Sequence, residues 1–218
     1  MGRGWILSGP TARRWLWNLI LQPPSLSSAV IADPSTLLLR LFPDPCLRQK
    51  AVAVTEFDAN LAAVADRMIE MMFEQRGIGL AAPQVGLGIR MFVAHVPEDP
   101  EDEDRLVSTD PPGATAKPVV FVNPQIEHMR VPVVPYEEGC LSLPEIRGDV
   151  LRPELIRVRA QDVSGEPFEM GAMGLLARCI QHETDHLDGV LIIDKFTQLA
   201  RLKNRSAIKS LNRAAGEW

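Results

Sequence analysis

Residues 174–188 constrain this chain more than any other stretch. A helix running from about Gly174 to Asp188 is largely apolar on both faces near its start, with Leu175, Leu176, Ala177, Cys179 and Ile180, and Gly189 follows as a stop signal. A helix apolar all round is a buried helix, so the rest of the fold must be wrapped around it, against a sheet. Its second half is Gln181-His182-Glu183-Thr184-Asp185-His186, so ionisable groups are carried into the same interior.

At 218 residues, with 46% apolar and 23% charged side chains, the chain suits one well-packed domain and lies outside the range of disordered sequences. A net charge of −5 gives no overall attraction to DNA or to anionic membranes. The three cysteines, Cys46, Cys140 and Cys179, are too few and too scattered for a disulfide framework and indicate a reducing compartment. No apolar run reaches the length of a membrane span. Residues 1–36 form an N-terminal extension with Arg3, Arg13 and Arg14, several serines, and no acid before Asp33. That composition resembles a transit peptide, and equally a poorly ordered leader or a start codon set too far upstream. The expected location is the cytoplasm, or an organelle if the extension is a transit peptide.

Leu61, Val64, Ala65, Met68, Ile69 and Met72 recur at helical spacing, with Asp58 placed to cap the start and Gly77 to end it; the methionines are read as core. Short β-rich runs follow at 89–96, 119–122, 131–134 and 155–161, the last pairing with 167–170 as a hairpin. The acidic, proline-rich 97–118 reads as a solvated loop without chemistry. After the main portion at 37–196, a basic C-terminal helix at 197–218 has Leu199, Leu202, Ile208 and Leu211 as apolar anchors.

Histidines at i and i+4 project from one helical face and can share a metal ion, and Glu183 beside them can act as a general base toward water at that ion. A catalytic site needs a third protein ligand and one open position. Cys140, in Glu138-Gly139-Cys140-Leu141-Ser142, is the best candidate, and Cys179 is chemically possible, though its place three residues before His182 suits a pocket wall better. Cys46 reads as structural, and His95 and His128 have no ligand-like surroundings. Gly77-Ile78-Gly79-Leu80-Ala81-Ala82-Pro83-Gln84 lacks the lysine and preceding strand of phosphate-binding loops. Its glycines let backbone run close to a substrate, and the Gln84 amide can donate to a developing oxyanion.

In these three places the sequence resembles the peptide deformylase family, whose GxGxAAxQ, EGCxS and HExxDH motifs appear here in the family's order; the resemblance runs from about Leu41 to Phe196. Thr184 departs mildly from the apolar residue common in relatives. The resemblance implies an α+β fold: a compact single domain of mixed and antiparallel sheets wrapped around a central metal-binding helix, with a C-terminal helix. It implies a metallohydrolase that removes the formyl group from the N-terminal formylmethionine of nascent peptides. Cys140, His182 and His186 become the metal ligands, Glu183 the general base and later acid, and Gln84 with the Leu141 N–H the oxyanion donors. Gly79 offers its backbone to the peptide.

Leu175, Cys179 and Ile78 are expected to wall an apolar methionine pocket, with Glu138 beside them among the substrate-binding residues and Arg178 at its mouth. The family precedent for the metal is Fe2+, which Zn2+ or Ni2+ can replace. The basic helix suggests the ribosome as a partner, with neither DNA nor membrane expected. Two rivals remain: a zinc protease, which lacks a fitting downstream ligand, and a non-catalytic RNA-binding module, which would need a fourth protein ligand to close its metal site.

Overall fold

The computed structural model describes residues 33–128 and 132–214. The extension up to Ala32, Val131 and the chain after Ala214 lie outside the described residues, and so do the readings that fall on them. Residues 31–218 group as one compact unit.

Helix α1 (Ala59–Glu74) begins where expected, the Asp58 carboxylate accepting the Leu61 N–H at 2.8 Å. Its buried face is Leu61, Val64, Ala65, Met68, Met71 and Met72, so the methionines are core. The expected stop at Gly77 needs correction: the left-handed residue is Arg76, at φ 55°, and Gly77 follows it, donating to the Met72 carbonyl at 2.8 Å. Glycine at 77 leaves room for the Leu141 side chain, whose terminal methyl would stand 2.9 Å from a Cβ there.

Strands β1 (Gly79–Ala81), β2 (Met91–Ala94) and β3 (Val119–His128) come next, then β4 (Val133–Cys140), β5 (Leu143–Pro153), β6 (Leu155–Gln161) and β7 (Pro167–Met173). The main sheet runs β1-β2-β3-β6-β7, antiparallel throughout, with an isolated parallel bridge at Val52–Ile89. Strands β4 and β5 form a separate two-stranded hairpin outside the main sheet, with one isolated antiparallel bridge from Val150 to Phe196. Helix α2 (Gly174–Leu187) is buried against the main sheet, on the opposite side from α1. Alternation in β2 shows the division: Met91 and Val93 join the α1 cluster, Phe92 and Ala94 the α2 cluster. A sheet covered on both faces has no polar phase, and all four residues of β2 are buried.

Short α3 (Ile192–Lys195) and long α4 (Gln198–Ala214) close a third cluster with the hairpin, built from Leu143, Ile146, Val150, Leu191, Ile192, Phe196 and Ala200. Two of the anchors expected in α4 are wrong, since Leu199 is 59% and Leu202 67% exposed. The stripe that packs is Ala200, Ile208 and Leu211, with Asn204 between them donating to the Arg147 carbonyl. The acidic segment at 97–118 is also less solvated than expected. Thr115 is buried and its hydroxyl accepts the Val96 N–H, while Asp104 and Pro111 pack against Gly174 and Gly171.

Candidate active site

A cleft of about 530 Å³ opens between the β1 edge, the hairpin and α2. Ile78, Gly79, Gln84, Glu138, Cys140, Leu141, Leu175, Arg178, Cys179, His182 and Glu183 all line it, and His186 lies just beneath at 1% exposure. Stretches far apart in sequence converge because β1 carries the glycine-rich segment, the β4–β5 turn presents Cys140, and α2 brings both histidines.

The donor atoms of Cys140, His182 and His186 lie within 4.8 Å of one another, and Cys140 Sγ is 3.3 Å from His186 Nε2. Among the described residues it is Cys140, and not Cys179, that joins the histidines. Cys179 is buried under the cleft wall, its thiol donating to the Ile78 carbonyl at 3.3 Å. Burial, with the Glu183 and Glu138 charges adding to it, keeps that thiol well above the ordinary range, so it is an inert wall rather than a thiolate. Cys46 sits in the third cluster, pushed up to about 11 mainly by burial. His95 bonds to Thr115.

Glu183 is buried with no partner for Oε2, and burial raises its carboxyl from the ordinary 4.5 to about 7 against the pull of His182 and Arg152. Gly79 must be glycine because a Cβ would overlap the Glu183 carboxylate and stand 2.9 Å from Cys179 Sγ. Gln84 is clamped with Oε1 accepting the Ala81 N–H at 2.7 Å, which turns its NH₂ toward Ser142 Oγ at 3.2 Å and Cys140 Sγ at 3.6 Å.

Beneath the site, His182 Nδ1 stands 3.0 Å from Glu138 Oε2, leaving Nε2 for a metal. Burial alone would raise Glu138, but bonds from His182 and Arg152 outweigh it and hold the carboxyl far below its usual range. His186 is pushed well below the ordinary histidine range by burial and by the cations near it, which is the neutral form a metal ion takes. One thiol and two imidazoles beside an unpartnered carboxylate fit a divalent metal with one open position.

Glu138 and Arg178 were expected to touch substrate. They do line the cleft, but their charged ends turn to one another and inward, and both are 6% exposed. Sequence reasoning missed Arg152, a 2% exposed cation that grips Glu138 through Nε and Nη2 and Asp185 through Nη1. The available signal was its place in the inward phase of β5 after Ile146, Gly148 and Val150. It also missed Ser142 as the acceptor for Gln84.

A family model described as polypeptide deformylase matches residues 37–202. A peptide deformylase of Acidobacterium capsulatum is 45% identical over 179 residues, covering 81% of this chain and 95% of that protein. The chloroplastic peptide deformylase 1B of Solanum lycopersicum is 44% identical over 157 residues, which is 72% of this chain and 51% of that longer protein. A plant peptide deformylase crystal structure superposes with a TM-score of 0.72 at 36% identity, covering 84% of this chain and 92% of that one. With the motifs, the cleft and these matches in agreement, the chain belongs to the polypeptide deformylase family.

Proposed function

We propose that this cleft carries out the family's reaction, hydrolysis of the formyl group from an N-terminal formylmethionine with release of formate, using the residues described above. The observation that carries the assignment is the unpartnered Glu183 carboxylate, raised to about 7, beside the Cys140, His182 and His186 donors. A divalent metal held by those three supplies Lewis acidity toward the formyl oxygen and lowers the pKa of water. Glu183 takes a proton from the attacking water, and its raised pKa suits both that step and return of the proton to the amine nitrogen as the C–N bond breaks. Gln84 directs its NH₂ into the site because its oxygen is committed to Ala81, and the N–H whose nitrogen lies 3.6 Å from Cys140 Sγ is the one that turns to the developing oxyanion; the Leu141 N–H is the second donor. Ile78, Leu175 and Cys179 wall the methionine pocket, and Gly79 runs beside the peptide.

The test is formate release from a formyl-methionyl peptide by protein purified without oxygen. Glu183→Ala should keep its metal and lose about 10²–10⁴-fold in rate. A variant that keeps full activity would remove Glu183 from the proton transfer, and absence of formate from the unsubstituted protein would sink the whole assignment.

Three finer readings accompany this one. The working ion is Fe2+, with Zn2+ or Ni2+ able to replace it, since a thiolate and two imidazoles accept all three. Residues 37–196 form the catalytic domain, 1–36 an extension, and 197–218 a basic helix whose exposed Arg201, Lys203, Arg205, Lys209 and Arg213 suit ribosomal RNA. The protein works in the cytoplasm, or in an organelle if residues 1–36 are a transit peptide. No described helix is long and apolar enough to cross a membrane.

A further inference from the structure

The metal donors come from two pieces that no backbone ladder joins: Cys140 ends β4 of the separate hairpin, and His182 and His186 ride on α2. Their spacing therefore depends on side chains crossing from helix to hairpin. Among the described residues Arg178 makes more of these crossings than any other. Nη1 reaches Glu138 Oε1 at 2.9 Å and the Val150 carbonyl at 3.0 Å, and Nη2 reaches the Val134 carbonyl at 3.1 Å. It thus holds both strands of the hairpin as well as the carboxylate that orients His182. The guanidinium also lies 5.1 Å from the ring centroid of Tyr136, a residue of the cleft wall. Gln181, donating to the Pro153 carbonyl at 3.0 Å, and the Arg152–Asp185 pair are the lesser ties.

We infer that Arg178 is a positioning residue: it clamps the β4–β5 hairpin to α2 so that Cys140 stands ready beside the two histidines before the metal arrives. It acts on the metal and not on the substrate. The planar fork matters, because a guanidinium serves three acceptors in one plane where an ammonium on a flexible stem serves them poorly. Partners that orient metal ligands typically change metal affinity 10–100-fold when removed. This inference rests on Cys140, His182 and His186 being the ligands.

The test uses the full chain loaded with Co2+, with Arg178→Met, and Arg178→Lys in case the apolar variant folds poorly. Cobalt retention against a chelator should fall about 10–100-fold in both variants, less in the lysine one. The visible spectrum of the cobalt should shift, while KM for a formyl-methionyl peptide at saturating metal stays within about twofold. Unchanged retention and spectrum in the variants would overturn the inference, as would a large rise in KM alone, which would return Arg178 to substrate binding. Absence of a thiolate-to-cobalt band in the unsubstituted protein would overturn the ligand set and this inference together.

Discussion

Glu183 is held where a carboxylate is least welcome. Its folded value of about 7 stands above the ordinary 4.5, with burial as the main cause. A raised acid loses nothing below its unfolded value, since both states are then protonated. As pH climbs from about 4.5 the unfolded chain ionises freely while the folded one resists, so the cost to stability grows up to about pH 7 and is constant above it. Glu183→Gln should therefore be the more stable protein in the metal-free form, with an advantage that opens across that window and reaches on the order of 2–4 kcal/mol. Calorimetric melts of the two metal-free proteins from pH 4 to 8 check this, and a pH-independent gap would show that Glu183 is not the strained group. On the proposed mechanism the residue that moves the proton is thus one that weakens the fold, a trade common at active sites.

At the scale of elements, α4 presents a packed face and a basic one. Ala200, Ile208 and Leu211 cover the hairpin cluster, so truncation after Phe196 would strip the third core and confuse any binding result. Substituting Arg201, Lys203, Arg205 and Lys209, all exposed, by glutamine leaves the packed stripe intact. The proposed ribosome contact predicts that this variant keeps its rate on short peptides and loses salt-sensitive co-sedimentation with ribosomes. Co-sedimentation at the unsubstituted level would rule the contact out.

The same helix shows what periodicity reveals and what it hides. Its existence was legible, and so was the Ile208 and Leu211 half of its packed stripe, but the rest was not, because Ala200 is small and Asn204 polar while the large Leu199 and Leu202 face outward. Helix α1, with six buried apolar residues in phase, was legible with its cap. Strand β5 was not, since its inward phase includes Gly148 and Arg152, and neither reads as core without the Glu138 that receives the arginine. The candidate site was legible because Cys140, His182, Glu183 and His186 are chemically unusual in their spacing. Their supports, Arg152 and Arg178, are ordinary arginines whose partners lie on other elements.

For the whole molecule, an ion held by Cys140, His182 and His186 would tie hairpin and helix together, so its binding should be felt as folding energy. Removing it with a chelator should lower the melting temperature, with a loss near ~4 kcal/mol if the ion stood at about a thousand times its Kd. The ferrous form should also lose activity in air as Cys140 and its iron oxidise, and a nickel form should outlast it. Equal half-lives in air with Cys140 unmodified by mass spectrometry would sink the oxidation argument.

The hairpin that stands outside the main sheet has a consequence for genetics. Lesions along its junction with α2 would impair capture of the ion and leave the amide chemistry competent, so they should behave as nutritional alleles. A cell carrying one would grow normally where the ion is plentiful and fail where it is scarce. The same allele would look silent or lethal depending on the medium in which it was scored.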